Sequence, residues 1–398
     1  MLVLWGVAMV QVAVAVAGGM VYLFVLWSVA QTLMVPRGRR PLFSRGIHRF
    51  VGSVYRLLAS SWSRYETRDR IRTSQPAAIL FLQLISWVLL LWLSLSAMLI
   101  PFVASIGQAF REAEASLLTL GFTSTPNAGA SAVDFLGGFT GLTVVALQIS
   151  YLPVLYGAFN RREAEVAVLV ARAGEPPWGP EMLARTRVGF LDTDLAQLYH
   201  AWERWAADVS ETHSSYPVLL RFRSPDPYAS WLVSLLAVMD AAALHLSLAP
   251  SDAPVEARLC LRMGFACLRS IAAAIGFPFD ADPLPDNSIN LTDADFAAAV
   301  EHLLEVGFPV EIDTNTAWRD FKGWRVNYES VGQRLAKEID AVPALWSRAP
   351  EDRVTVIPTR WVRNRTYEDP EGTRSPLGRP SPLPKGRSDG DRGPEMEL

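Results

Sequence analysis

The chain has 398 residues, half of them hydrophobic, with a mean hydropathy of +0.18 and a formal net charge of −3. Charged residues make up 19%, below the roughly 25% usual for a soluble protein. The shortfall is concentrated: residues 1–35, 77–110 and 135–160 carry no Asp, Glu, Lys or Arg. No basic stripe lies outside the arginine-rich stretch that flanks these runs, which argues against a nucleic-acid partner. Cys260 and Cys267 are the only cysteines. Two ligands are too few for a zinc site or a disulfide framework, so they read as buried thiols in a reducing compartment.

Crossing the hydrocarbon core of a bilayer takes about 20 apolar residues. Residues 1–35 exceed this and lack the basic start and short apolar core of a signal peptide. They are expected to form a first transmembrane helix. A second span is expected over 77–103, after Pro76, and a third over 135–160. The linker 36–76 holds ten arginines against Glu66 and Asp69, whereas 104–134 holds Arg111 against three acids. By the positive-inside rule the linker and everything after residue 160 face the cytoplasm, and the N-terminus lies outside. Within the linker, Phe50, Val51, Val54, Tyr55, Leu57, Leu58 and Trp62 set an apolar face beside arginines. That pattern predicts an interfacial helix on anionic inner-leaflet lipids of the plasma or inner membrane.

A later apolar run, 229–250, is also of span length. It contains Asp240 and His245 and is flanked by arginine on both sides. A central Asp costs about 2.5–3.5 kcal/mol on insertion. The run is therefore expected to be a buried core helix, with Asp240 as a hydrogen-bonded carboxylate.

The segment 104–134 has an internal order. Pro101 ends the outer helix, a short amphipathic run follows over 110–118, and then come Thr119, Leu120, Gly121, Phe122 and Thr123, closed by Ser124, Pro126 and Asn127. An outer helix, a re-entrant helix, a T-x-G-aromatic strand and an inner helix in this order resemble the pore domain of potassium channels over 77–165. In that family the filter reads T-V-G-Y-G-D. Thr119, Leu120, Gly121 and Phe122 align with its first four positions. Thr123 stands for the second Gly and Ser124 for the Asp. The stretch from Leu152 to Glu163 is similar to the inner-helix ending of the same family.

The resemblance implies a homotetramer in which four loops bring rings of backbone carbonyls around a dehydrated monovalent cation, K⁺ or Na⁺. Such a loop needs alternate residues at positive φ, which Gly reaches without penalty. A branched Thr123 there costs about 1–2 kcal/mol in each chain. The outer filter is then expected to be rearranged and K⁺ selectivity weak, with Glu112 and Glu114 favouring cations at the outer mouth. On the inner helix, Gly137, Gly141, Val144, Gln148 and Leu155 follow three- and four-residue steps. This stripe reads as the cavity face, with Gln148 facing water, Gly137 and Gly141 giving close packing or a hinge, and Leu155 and Tyr156 forming a constriction. For Gln148 a polar contact between helices remains the other reading.

Residues 161–349 show helical periodicity, seven tryptophans from Trp178 to Trp346 and a capping-box pattern at Thr292 and Asp295. One all-helical cytoplasmic domain is expected. It holds no phosphate-cradling loop, nucleotide fingerprint or nucleophile elbow, so neither an enzyme nor a cofactor is expected. Residues 350–398, rich in Pro, Gly and charge, read as a disordered tail. The chain thus reads as an all-α membrane protein: three transmembrane helices, a re-entrant pore loop and a cytoplasmic domain that modulates the pore. A non-conducting membrane scaffold or sensor is the alternative.

Overall fold

The computed structural model describes residues 2–35, 42–122, 127–187, 194–348, 355–360 and Tyr367, and all elements below are among these. Thirteen α-helices follow one another: α1 Leu2–Leu33, α2 Leu42–Ser60, α3 Tyr65–Thr73, α4 Gln75–Leu99, α5 Ile106–Leu117, α6 Ala128–Ala173, α7 Gly179–Arg187, α8 Leu195–Ser215, α9 Trp231–Leu248, α10 Val255–Ile275, α11 Asp293–Glu305, α12 Thr314–Arg325 and α13 Glu329–Ile339. Among the described residues the only β pairing is two isolated bridges. Through them Ile357 and Arg360 of the expected tail lie against Ala344 and Glu175. The rest of that tail is outside the described residues, apart from Tyr367.

Four helical stretches are long and apolar enough to cross a membrane: Trp5–Leu33, Tyr65–Phe102, Ala128–Ala173 and Trp231–Leu248. The most apolar windows of the first three are a third buried or less, whereas that of the fourth is 94% buried inside the protein. α9 is therefore the core of the second half of the chain, as its Asp240 suggested. Asp240 accepts from Arg325 Nη1 at 2.5 Å and from the Tyr328 hydroxyl at 2.6 Å. Arg325 also bonds Glu329 at 2.8 Å and the Trp346 carbonyl at 2.6 Å. A buried charge is tolerated only when paired and hydrogen-bonded in this way. Helices α7, α8, α10, α12 and α13 surround α9. Side-chain caps fix the starts of three helices of this half: Asp194 on α8, Asp313 on α12 and the reciprocal Thr292–Asp295 box on α11. Cys260 and Cys267 are buried and unpaired, and burial pushes both thiols up.

In the first half, α1 runs antiparallel along α4. Gly18 lies against the Ser94 carbonyl, and the Trp87 indole donates to Ser28 Oγ at 3.1 Å. α6 completes the layer through Tyr22, whose hydroxyl bonds Thr140. α2 packs Ile47 and Val51 against Ile79 and Val218, yet leaves Phe50, Leu57 and Leu58 exposed, as is Trp62 just after it. It is thus apolar on two sides, and its packed face is the one an interfacial helix does not offer to lipid.

α6 joins the halves. Its 46 residues span about 69 Å as one helix, with Pro153 inside it. Past residue 160, Arg162 is fully buried. It donates to the carbonyls of Leu219 and Phe222 at 2.9 and 2.8 Å and contacts His213 Nε2 at 3.0 Å. Trp205 returns a bond to the Arg162 carbonyl at 3.0 Å. The second half of α6 is therefore tied into the helical domain by a buried hydrogen-bond network.

Candidate functional site

α5 starts where the sequence places a stop and a cap. Ile100–Phe102 forms a short 3-10 turn around Pro101, and Ser105 Oγ then accepts from the Gln108 amide at 3.2 Å. Its apolar stripe, Ala109, Ala113 and Leu117, packs into the cluster made by α1, α4 and α6. Trp92 on α4 donates to the Phe110 carbonyl at 3.1 Å, and the two rings lie 5.1 Å apart. At its far end α5 touches α6 so closely that a Cβ on Gly141 would overlap the Leu117 carbonyl. One on Gly137 would overlap Ser116. Gly141 lies thirteen residues after Ala128, about 20 Å along α6. The short helix thus descends alongside α4 and α6 and ends well below the start of α6.

The residues that follow cap α5. Thr119 N–H bonds the Ser116 carbonyl at 3.0 Å and Leu120 N–H bonds the Ala115 carbonyl at 2.8 Å, with Thr119 at φ 54°. This pair of bonds is a Schellman motif. Its left-handed position, where Gly is usual, is taken by a branched Thr. Gly121 is also at positive φ, 66°, and a Cβ there would meet open space. Positive φ thus recurs at Thr119 and Gly121, while Leu120 and Phe122 stay exposed. The chain here turns back on α5 and does not run on as an extended strand. Thr123, the residue on which the sequence placed the filter strain, lies outside the described residues. Thr119 is where the structure puts a strained branched residue.

Two acids of this region were missed as a pair. Glu112 is fully buried on α5, and Asp134, in the second turn of α6, shares a side-chain hydrogen bond with it. Ser116 Oγ donates to the Asp134 carbonyl, and Asn127 Oδ1 caps α6 by accepting from Gly129 N–H at 2.8 Å. The sequence signal was an acid on the face that α5 turns to α6. At the sequence level it read as a charge at an outer mouth.

The inner-helix stripe lies on one face, as its spacing requires, and that face packs within the chain. Gly137 and Gly141 admit α5. Gln148 is buried near Gln83 of α4 and Trp87. Leu155 is fully buried among Ile47, Ile79 and Leu219. Tyr156 alone is exposed, its ring edge-on to Phe222 at 5.8 Å. The opposite face of α6, Phe135, Phe139, Leu142, Ile149 and Tyr156, is open and apolar.

Among the described residues no group of three or more His, Cys, Asp and Glu side chains is placed to hold a metal ion. Compared with known proteins, the chain matches no family model, no curated sequence and no solved structure.

Proposed function

We propose that this chain is one subunit of a homotetrameric pore-loop cation channel in the cell membrane, with its N-terminus outside and its helical domain in the cytoplasm. The observation that carries the reading is the path of α5. A short capped helix leaves the outer end of α4, descends about 20 Å beside α6, and ends in an exposed turn with positive φ at Thr119 and Gly121. A helix of this kind held between two spans has its polar groups satisfied by protein, which is the condition for non-spanning backbone at membrane depth. One such turn cannot enclose an ion, so four copies must meet at residues 118–122.

The pore wall in this assembly is the open face of α6. Gln148 and Leu155 are committed to packing inside the subunit, which leaves Phe135, Phe139, Leu142, Ile149 and Tyr156 for the axis or for neighbouring subunits. An apolar wall of this kind gates by dewetting. Because residues 118–121 close a helix in the single chain, the ion-binding carbonyls take their final places only on assembly, and K⁺ selectivity over Na⁺ is weak. Permeant monovalent cations are the only ligands this reading needs.

The same helix-capping turn favours a second reading, a non-conducting membrane scaffold or sensor. There 118–122 is a loop end and α6 is simply the rod that ties the helical domain to the membrane. Purified chain in nanodiscs distinguishes the two: four-fold symmetry about residues 118–122 supports the channel, and a monomer or dimer with that turn away from any axis removes it.

A further inference from the structure

A second site lies at the cytoplasmic end of the first helical layer, away from residues 118–122. A small cleft, with about 40 Å³ of water-accessible space, opens between α1, α2, α4 and α6 and is roofed by residues 215–218 of the helical domain. Its walls mix apolar side chains, among them Leu33, Ile79, Leu80 and Trp87, with hydrogen-bonding ones: Gln31, Thr32, Ser44, Gln83, Gln148 and Ser215. Gln83 is 4% exposed and neither its Nε2 nor its Oε1 has a hydrogen-bond partner. Gln148 is 7% exposed and its Oε1 has none. Two carboxamides buried in an otherwise apolar layer and left unmatched are costly, and such groups normally meet a ligand or water.

The chemistry of the walls limits the occupant. Among the described residues no Asp, Glu, Lys or Arg lines the cleft, and His48 is the one lining residue there that ionises in the ordinary pH range. A phosphate or ammonium would be buried there without a counter-charge, which is unfavourable. Carboxamides both donate and accept, so they suit hydroxyl and ester groups. Depth points the same way. Gln83 is eight residues, about 12 Å, into α4 from Gln75, within the inner half of a core about 30 Å thick. We propose that this cleft binds the uncharged glycerol-ester region of a neutral inner-leaflet lipid of the diacylglycerol class, its hydroxyl and ester groups on Gln83 and Gln148 and its chains along the apolar walls. Bound there, it touches both membrane helices and the 215–218 roof, and so links lipid composition to the helical domain. The inference rests on the membrane orientation proposed above and not on conduction or a tetramer.

The test is equilibrium binding of radiolabelled dioctanoylglycerol to the purified full chain in detergent, beside glycerol and dioctanoyl phosphatidate. Wild type is expected to bind dioctanoylglycerol saturably, one per chain. Binding should be about tenfold weaker in Gln83→Leu and in Gln148→Leu, as loss of one neutral hydrogen bond implies. Glycerol and the phosphatidate are expected to bind at least about tenfold more weakly than dioctanoylglycerol on wild type. Dioctanoylglycerol must also raise the unfolding temperature of wild type, a readout that does not depend on either variant folding. Absence of saturable binding or of that thermal shift, equal affinity in folded Gln→Leu variants, or a preference for the phosphatidate or for free glycerol overturns the proposal. Channel recordings that show no current leave each of these readouts unchanged.

Discussion

Gly121 and Gly141 look alike in the sequence and hold their places for different physical reasons. Gly121 needs its left-handed backbone and has space around it, whereas Gly141 needs the space. Gly121→Ala should therefore cost about 1–2 kcal/mol of local strain with α5 in place. Gly141→Ala must push the Leu117 backbone away, at about 1–3 kcal/mol. Thermal unfolding of the two purified variants checks the magnitudes, and hydrogen exchange of α5 separates them, because only Gly141→Ala should raise it. His213 supplies a pH dependence. Burial, and after it the Arg162 guanidinium, hold its ring well below the ordinary 6.5. Its unfolded form takes up a proton near pH 6.5 while the folded form does not. Its contribution to stability is thus constant above that pH and falls by about 1.4 kcal/mol per unit below it. The unfolding midpoint should drop between pH 7.5 and 5.5, and should drop less in His213→Gln. These reasons were only partly legible in the chain. The Gly positions stood out, but which of them answers to φ and which to contact depends on where α5 lies. His213 was one lone histidine among five.

At the scale of elements, the apolar runs announced α1, α4, α6 and α9, and Asp240 separated the buried helix from the others. The boundaries shifted for local reasons. α4 begins at Gln75 because Pro76 is tolerated in a first turn, and α6 runs on to Ala173 because nothing breaks it after Phe159. What periodicity did not give was the direction of the face. The spacing of Gly137, Gly141, Gln148 and Leu155 defines a stripe, and a stripe that lines a cavity has the same period as one that packs on a neighbour. The missing information was Gln83: one strongly polar residue deep in each of two apolar helices is a hint that they face each other. Arg162 shows the same limit. As a basic residue at a span end it read as a topology signal. In the fold it is the bolt between α6 and residues 219–222. Arg162→Met should leave the Phe222 carbonyl unpaired and take one of two donors from the Leu219 carbonyl, which keeps the Phe222 N–H, at a cost of about 3 kcal/mol. The expected signature is fast hydrogen exchange over 217–222 with α9 still protected. Unchanged exchange there would mean that the two halves are held together by other contacts.

At the scale of the whole molecule, the first-half helices and the helical domain are joined by α6, by α2 and α4 packing on residues 218–222, and by ion pairs from Arg68, Asp69 and Arg72 of α3 to Asp340 and Arg223. The class of fold was legible because helices that cross or fill a membrane must be long and apolar. An assembly is not legible in one chain, where symmetry between copies leaves no mark beyond an open face. That open face makes its own claim. Leu142 is 68% exposed in the single subunit, so replacing it with Asp should change conductance steeply if it meets the pore, and should only reduce membrane insertion if it meets lipid. The most direct test of the channel itself is planar-bilayer recording of the reconstituted wild-type chain beside Gly121→Ala, in K⁺ and in Na⁺. A weakly selective channel gives cation current with little preference between the two ions in wild type, and current strongly reduced or altered in selectivity in Gly121→Ala. No current from correctly folded wild type at any voltage in either ion, or identical currents from both proteins, would contradict it.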